Sequence, residues 1–146
     1  MGQQGPYGAQ KLVGARGSAQ PMIHLDTSFL IRALAHGSRE DRRLRAWLKG
    51  REPLGMSSIS WAEFLCGPVG AEEIALAGRI IADPVAFLST DAVLTARLFN
   101  QTSRRRGSLT DCMIAATAIR IDASLATANP GDFQRFAPAG LQIVAE

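Results

Sequence analysis

Lysine is almost missing from this chain of 146 residues: Lys11 and Lys49 are the only two, and none follows position 49. That counts heavily against phosphoacceptor chemistry, in which a lysine near the later strands of an α/β sheet holds the phosphoryl group beside strand-end acids. Histidine is equally scarce: His24 and His36 have no ligand-like spacing and no cysteine pair beside them, so a zinc centre is a poor reading. The two cysteines, Cys66 and Cys112, sit in apolar settings and read as buried thiols of a reducing cytosol, not as a disulfide framework. No apolar run is long enough for a membrane span or signal peptide, which makes the cytoplasm the default location. No GxxxxGK[ST] string is present, which removes a P-loop nucleotidase. Aromatic residues make up only 6%, leaving few platforms for base stacking; Trp47 lies at core spacing, and Trp61 fits packing or a dimer contact.

What the chain does have is arginine. Every one of its 16 basic residues except Lys11 and Lys49 is an arginine, and the formal net charge is +3. The guanidinium fork suits phosphate oxygens, so this balance is compatible with a nucleic-acid partner, and equally with plain solubility. The length fits one domain with one sizeable core. Residues 1–21 hold five of the 14 glycines and no apolar run, and are read as a disordered leader or tag ahead of a domain at 22–146.

From Met22 onward short apolar runs alternate with helical stretches. Residues 22–25, 54–59, 85–89, 124–128 and 141–145 read as five strands. Between them fall helices over about 27–34, 38–49, 60–65, 71–82, 91–106 and 109–121, punctuated by Pro53, Gly67-Pro68, Pro84 and Gly107. Connections long enough for crossovers predict a mainly parallel sheet of about five strands, covered by helices on both faces.

Four acids stand where such a sheet gathers its ligands, at strand ends and helix starts: Asp26, Glu63, Asp111 and Asp132. Brought together they repel and raise one another's pKa, so a cation must offset them, and hard oxygen donors suit Mg²⁺ or Mn²⁺. Each acid also has a local explanation. Ser60–Glu63 and Ser108–Asp111 fit the capping-box spacing, and Asp26 and Asp132 suit helix caps. An aspartyl phosphatase is disfavoured, because the position two residues after Asp26 is Ser28.

The local sequences around these acids go further. LDTSFLIRAL resembles the first strand and helix of PIN domains, SISWAEFLCG is similar to the family's second segment, LTDCMIAATAI to its third, and LATANPGDFQRF to its last. The segments occur in family order and span residues 22–144; small size and compact order look like the VapC toxins of VapBC pairs. The resemblance implies a three-layer α/β/α fold with Asp26, Glu63, Asp111 and Asp132 as catalytic, metal-binding acids, Thr27 orienting Asp26, and Thr127 lining the site with its hydroxyl. Ser28 departs from the Asn of many relatives.

It further implies an Mg²⁺- or Mn²⁺-dependent endoribonuclease that hydrolyses RNA through a metal-activated water, leaving a 5′-phosphate and a 3′-hydroxyl. A homodimer and a cognate antitoxin partner come with that reading, and no membrane. The alternative is a non-toxin PIN-domain protein that processes or binds RNA. Neither histidine looks like the base of a metal-free ribonuclease: His24 reads as core and His36 as surface. Arg104, Arg105 and Arg106, just before the Asp111 helix, are the candidate contacts to RNA phosphates, while the arginines of 39–45 read as a solvated helix face.

Overall fold

A computed structural model describes residues 22–102, 104–105 and 107–145; the leader reading for 1–21 therefore lies outside the described residues. Four strands, β1 (Ile23–Leu25), β2 (Leu54–Gly55), β3 (Ser124–Ala126) and β4 (Gln142–Ile143), form one sheet in the order β2-β1-β3-β4. Every pairing is parallel. The helices are α1 (Thr27–Ala33), α2 (Arg39–Lys49), α3 (Ser58–Cys66), α4 (Ala71–Ile80), α5 (Ser89–Gln101), α6 (Leu109–Arg120) and the short α7 (Pro130–Phe133), which runs into a 3₁₀ turn over Gln134–Ala139.

Strand alternation splits the core in two, one half on each face of the sheet. Ile23, Leu25 and Ala126 pack with Phe29, Leu30, Leu44, Met56, Phe64 and Ala77 from α1 to α4. Leu125 faces the other way, into Leu98, Ile114, Ala115, Ala118, Phe133 and Phe136 from α5, α6 and the last turns. This is the expected three-layer α/β/α arrangement, and Trp47 stacks on Phe29 at 5.3 Å as core spacing predicts.

Two elements differ from the sequence expectation. The second strand ends at Gly55 instead of residue 59, because the Ser57 hydroxyl accepts the Ser60 N–H at 3.0 Å and starts α3 early. The stretch 85–89 contributes a single bridge, Val85 beside Ser57, in place of a full strand. Its cause is Asp91, whose buried carboxylate accepts the Leu88 N–H at 2.9 Å and turns the chain into α5 at Ser89. Arg120 Nε holds the same carboxylate at 2.6 Å and its Nη2 donates to the Ala86 carbonyl at 3.0 Å, tying α5 to α6.

His24 is a core residue, only 1% exposed, and it sits over Gly55, where any Cβ would lie 2.9 Å from its ring. Burial, with the charge of Arg120 adding to it, pushes its pKa down from 6.5 to about 4. The unfolded chain binds a proton near pH 6.5 that the folded chain refuses until about 4, so stability falls as pH drops through that window. The expected loss from this residue is on the order of 3 kcal/mol. Urea titrations at pH 7 and pH 4.5 check it: the wild type should lose more stability between them than His24→Leu does.

Candidate functional site

The sheet order places β1 and β3 side by side with the chain leaving them in opposite directions, a switch point at which parallel sheets bind ligands. Asp26 follows β1 there and Thr127 follows β3, and the Asp26 N–H donates to the Ala126 carbonyl at 2.9 Å. Asp26 is 6% exposed. Its Oδ2 accepts from Ser28 Oγ at 2.8 Å and from Thr127 Oγ1 at 2.9 Å. Those two hydroxyls in turn accept backbone N–H groups, Ala128 onto Ser28 at 3.1 Å and Asn129 onto Thr127 at 3.0 Å. Each hydroxyl is thereby fixed as an acceptor from the loop and a donor to the acid, and the carboxylate has one orientation.

The Thr27 hydroxyl bonds away from Asp26. As the first residue of α1 it points across to α3, where its hydroxyl lies 2.9 Å from the Ser60 carbonyl and 3.1 Å from Glu63 Oε1. The hydroxyls that bond Asp26 are thus those of Ser28 and Thr127, while the Thr27 hydroxyl bonds Glu63.

The four acids act on one another. The Glu63 carboxyl is raised above the usual range, first by loss of solvent and then by Asp26 and Asp111, with the Thr27 hydrogen bond opposing. Asp111, in the first turn of α6, is raised by burial and by Asp26, is partly relieved by Arg135, and feels Asp132 and Arg105 as well. None of the helix-start explanations is realised. No side-chain cap bond forms at Asp26, Ser108 or Asn129. Ser57 caps α3, which puts Glu63 in the second turn, and the Ser108 hydroxyl donates to the Arg105 carbonyl at 2.6 Å.

Among the described residues no three His, Cys, Asp or Glu side chains are already gathered closely enough to grip a metal ion. The fit to a metal therefore rests on donor chemistry: the acids offer oxygen donors, and the ionised forms of two of them are disfavoured by burial and by neighbouring acids. An all-oxygen set suits a hard divalent ion better than zinc. A cavity of about 740 Å³ opens at the opposite edge, around Ile23, Ser124 and Gln142 at the starts of three strands, and contains none of the four acids.

Of the three arginines singled out before α6, Arg104 lies over the Phe99 ring at 5.6 Å and bonds Asn100, which turns it toward α5. Arg105 is exposed and its charge reaches Asp111; Arg106 lies outside the described residues. The arginines of α2 serve local structure: Arg45 bonds Asp41 at 2.8 Å, and Arg43 covers Phe29 and Trp47. Sequence reasoning missed Arg135, whose Nη2 stands 3.6 Å from Asp111 Oδ2. The only signal was its place three residues after Asp132.

Because the raised pKa of Asp111 makes its charge unfavourable near neutrality, Asp111→Asn should raise the melting temperature of metal-free protein at pH 7. That gain should shrink as pH falls through the Asp111 pKa and the wild-type carboxyl protonates. Melting curves in EDTA from pH 7 to pH 4 test both statements.

The comparisons with known proteins agree with this geometry. No curated protein sequence matches the chain closely enough to count as a relative. Among solved structures, VapBC2 from Rickettsia felis bound to a promoter DNA fragment is similar at a TM-score of 0.68 and 21% identity, over 84% of this chain and 97% of that one. DNA-bound VapBC from Salmonella typhimurium gives 0.68 at 19% identity over 86% and 98%. A toxin–antitoxin complex from Klebsiella pneumoniae gives 0.61 at 22% over 77% and 90%. These likenesses establish the fold. The PIN domain profile matches residues 23–138, nearly all of the described domain, and the chain belongs to the PIN domain family.

Proposed function

We propose that this protein is a Mg²⁺- or Mn²⁺-dependent endoribonuclease, the toxin of a toxin–antitoxin pair. The observation that carries the reading is the buried Asp26 at the β1/β3 switch point, its Oδ2 held by Ser28 and Thr127 beside acids that feel its charge. Asp26, Glu63, Asp111 and Asp132 would hold the metal. A divalent ion bound there supplies an activated water and offsets the charge that builds on a phosphoryl oxygen.

The chain's own part is positioning. Ser28 and Thr127 fix the Asp26 rotamer, Thr27 ties Glu63 to the start of α1, and Arg105 presents positive charge to an approaching RNA phosphate. Neither histidine is placed as a base for an attacking 2′-hydroxyl: His24 is buried in the core and His36 is exposed, 3.8 Å from Asp41. With water as the nucleophile, hydrolysis would leave a 5′-phosphate and a 3′-hydroxyl.

The toxin branch is supported by the likeness to VapBC and other toxin–antitoxin complexes. On this reading the chain works in the cytoplasm as a homodimer and binds a cognate antitoxin. Exposed Leu65 and Leu76 on α3 and α4, and Leu88 and Val93 at α5, supply apolar surface for such contacts. No described helix is long and apolar enough to cross a membrane.

Purified protein incubated with total bacterial RNA should cut it in Mn²⁺ or Mg²⁺ and not in EDTA. Asp111→Asn should lower the rate by about a hundredfold or more, the scale of losing one charge-stabilising group in an active site. Wild-type cleavage by Asp111→Asn would contradict the assignment, and sequencing the cut ends would identify the target.

A further inference from the structure

Arg135 is paired with Asp111, and its bonding is unlike that of the other arginines that pair with acids. Arg120 closes on Asp91 at 2.6 Å, and even the exposed Arg45 closes on Asp41 at 2.8 Å. Arg135 Nη2 stands 3.6 Å from Asp111 Oδ2, within ion-pair range and beyond a hydrogen bond. Its Nε and Nη2 are both buried, and among the described residues neither has a hydrogen-bond partner. These are the two parallel donors of the guanidinium's side edge, the edge that receives two oxygens of one carboxylate or phosphate. The plane is held by the Phe136 ring, 4.5 Å from the guanidinium carbon and itself 0% exposed.

A salt bridge kept only for stability would use that edge directly on Asp111. Leaving two buried donors short of a partner is costly unless a ligand takes them. An anion arriving beside the carboxylates also needs a fixed positive partner; Arg104 is engaged by Phe99 and Asn100, and Arg105 is an exposed side chain that adds charge without a fixed place.

We propose that the Nε–Nη2 edge of Arg135 is the phosphate clamp of the cleft, gripping two non-bridging oxygens of the RNA backbone beside Asp111. The proposal rests on the nuclease reading. Arg135 is thus the residue that sets RNA position, while the acids hold the metal.

The test compares wild type, Arg135→Lys and Arg135→Met. Mn²⁺ binding is read by the rise in melting temperature, affinity for a labelled single-stranded RNA by anisotropy with Ca²⁺ replacing Mn²⁺, and cleavage by kcat and KM. Lysine keeps the charge and loses the paired edge, so both variants should bind RNA about tenfold or more weakly, the scale of a lost charge-assisted hydrogen bond. KM should rise more than kcat falls, and the Mn²⁺-induced stabilisation should persist. Arg135→Lys decides the matter if Arg135→Met fails to fold. Wild-type RNA affinity and KM in Arg135→Lys, with Mn²⁺ binding intact, would overturn the clamp and leave the nuclease reading standing. A wild-type protein that neither binds Mn²⁺ nor cuts RNA would overturn both.

Discussion

Repulsion among Asp26, Glu63, Asp111 and Asp132 is the constraint to which this structure answers. Bringing carboxylates to one edge of a sheet opposes folding, and the Glu63 and Asp111 carboxyls are raised first by loss of solvent and then by their acidic neighbours. The protein offsets it with neutral donors and with the charge of Arg135 and Arg105. Ser28 and Thr127 hold Asp26, Thr27 holds Glu63, and Arg135 relieves Asp111. A divalent ion held among these oxygens would offset the repulsion, so the charge that opposes folding favours the ion's binding.

The scaffold carries that load with little sheet. Its strands span three, two, three and two residues, so stability comes from the two apolar layers packed against them. Central positions on both faces are filled by Leu25, Leu125 and the alanines of α6. The Asp91–Arg120 pair locks α5 to α6, and α6 carries Asp111 at its start. His24 over Gly55 shows how tightly β1 and β2 meet. Function and packing share the same short strands, since Asp26 is the residue immediately after Leu25.

Much of this was legible in the sequence. Alternating apolar runs and helical stretches gave the parallel three-layer class, and four acids at strand ends and helix starts were visible before any coordinates. What remained hidden depended on side-chain direction and tertiary contact. Val85 to Ser89 has the composition of a strand, but the buried Asp91 claims the Leu88 N–H and ends it. Ser57 and Ser60 are both plausible caps by spacing, and the structure chooses the earlier one. Thr27 and Ser28 are neighbours, and only the turn of α1 decides that Thr27 faces Glu63 while Ser28 faces Asp26. Arg135 offered only its place three residues after Asp132, whereas the conspicuous run at 104–106 puts Arg104 on Phe99.

The central claim is that the four acids form one cation site. Isothermal titration of Mn²⁺ into metal-free wild type, Asp26→Asn, Glu63→Gln and Asp111→Asn tests it without reference to any substrate. The account predicts saturable binding by the wild type and a marked loss of affinity in all three variants, each of which still folds. Equal affinity in the variants, or no binding by the folded wild type, would contradict it.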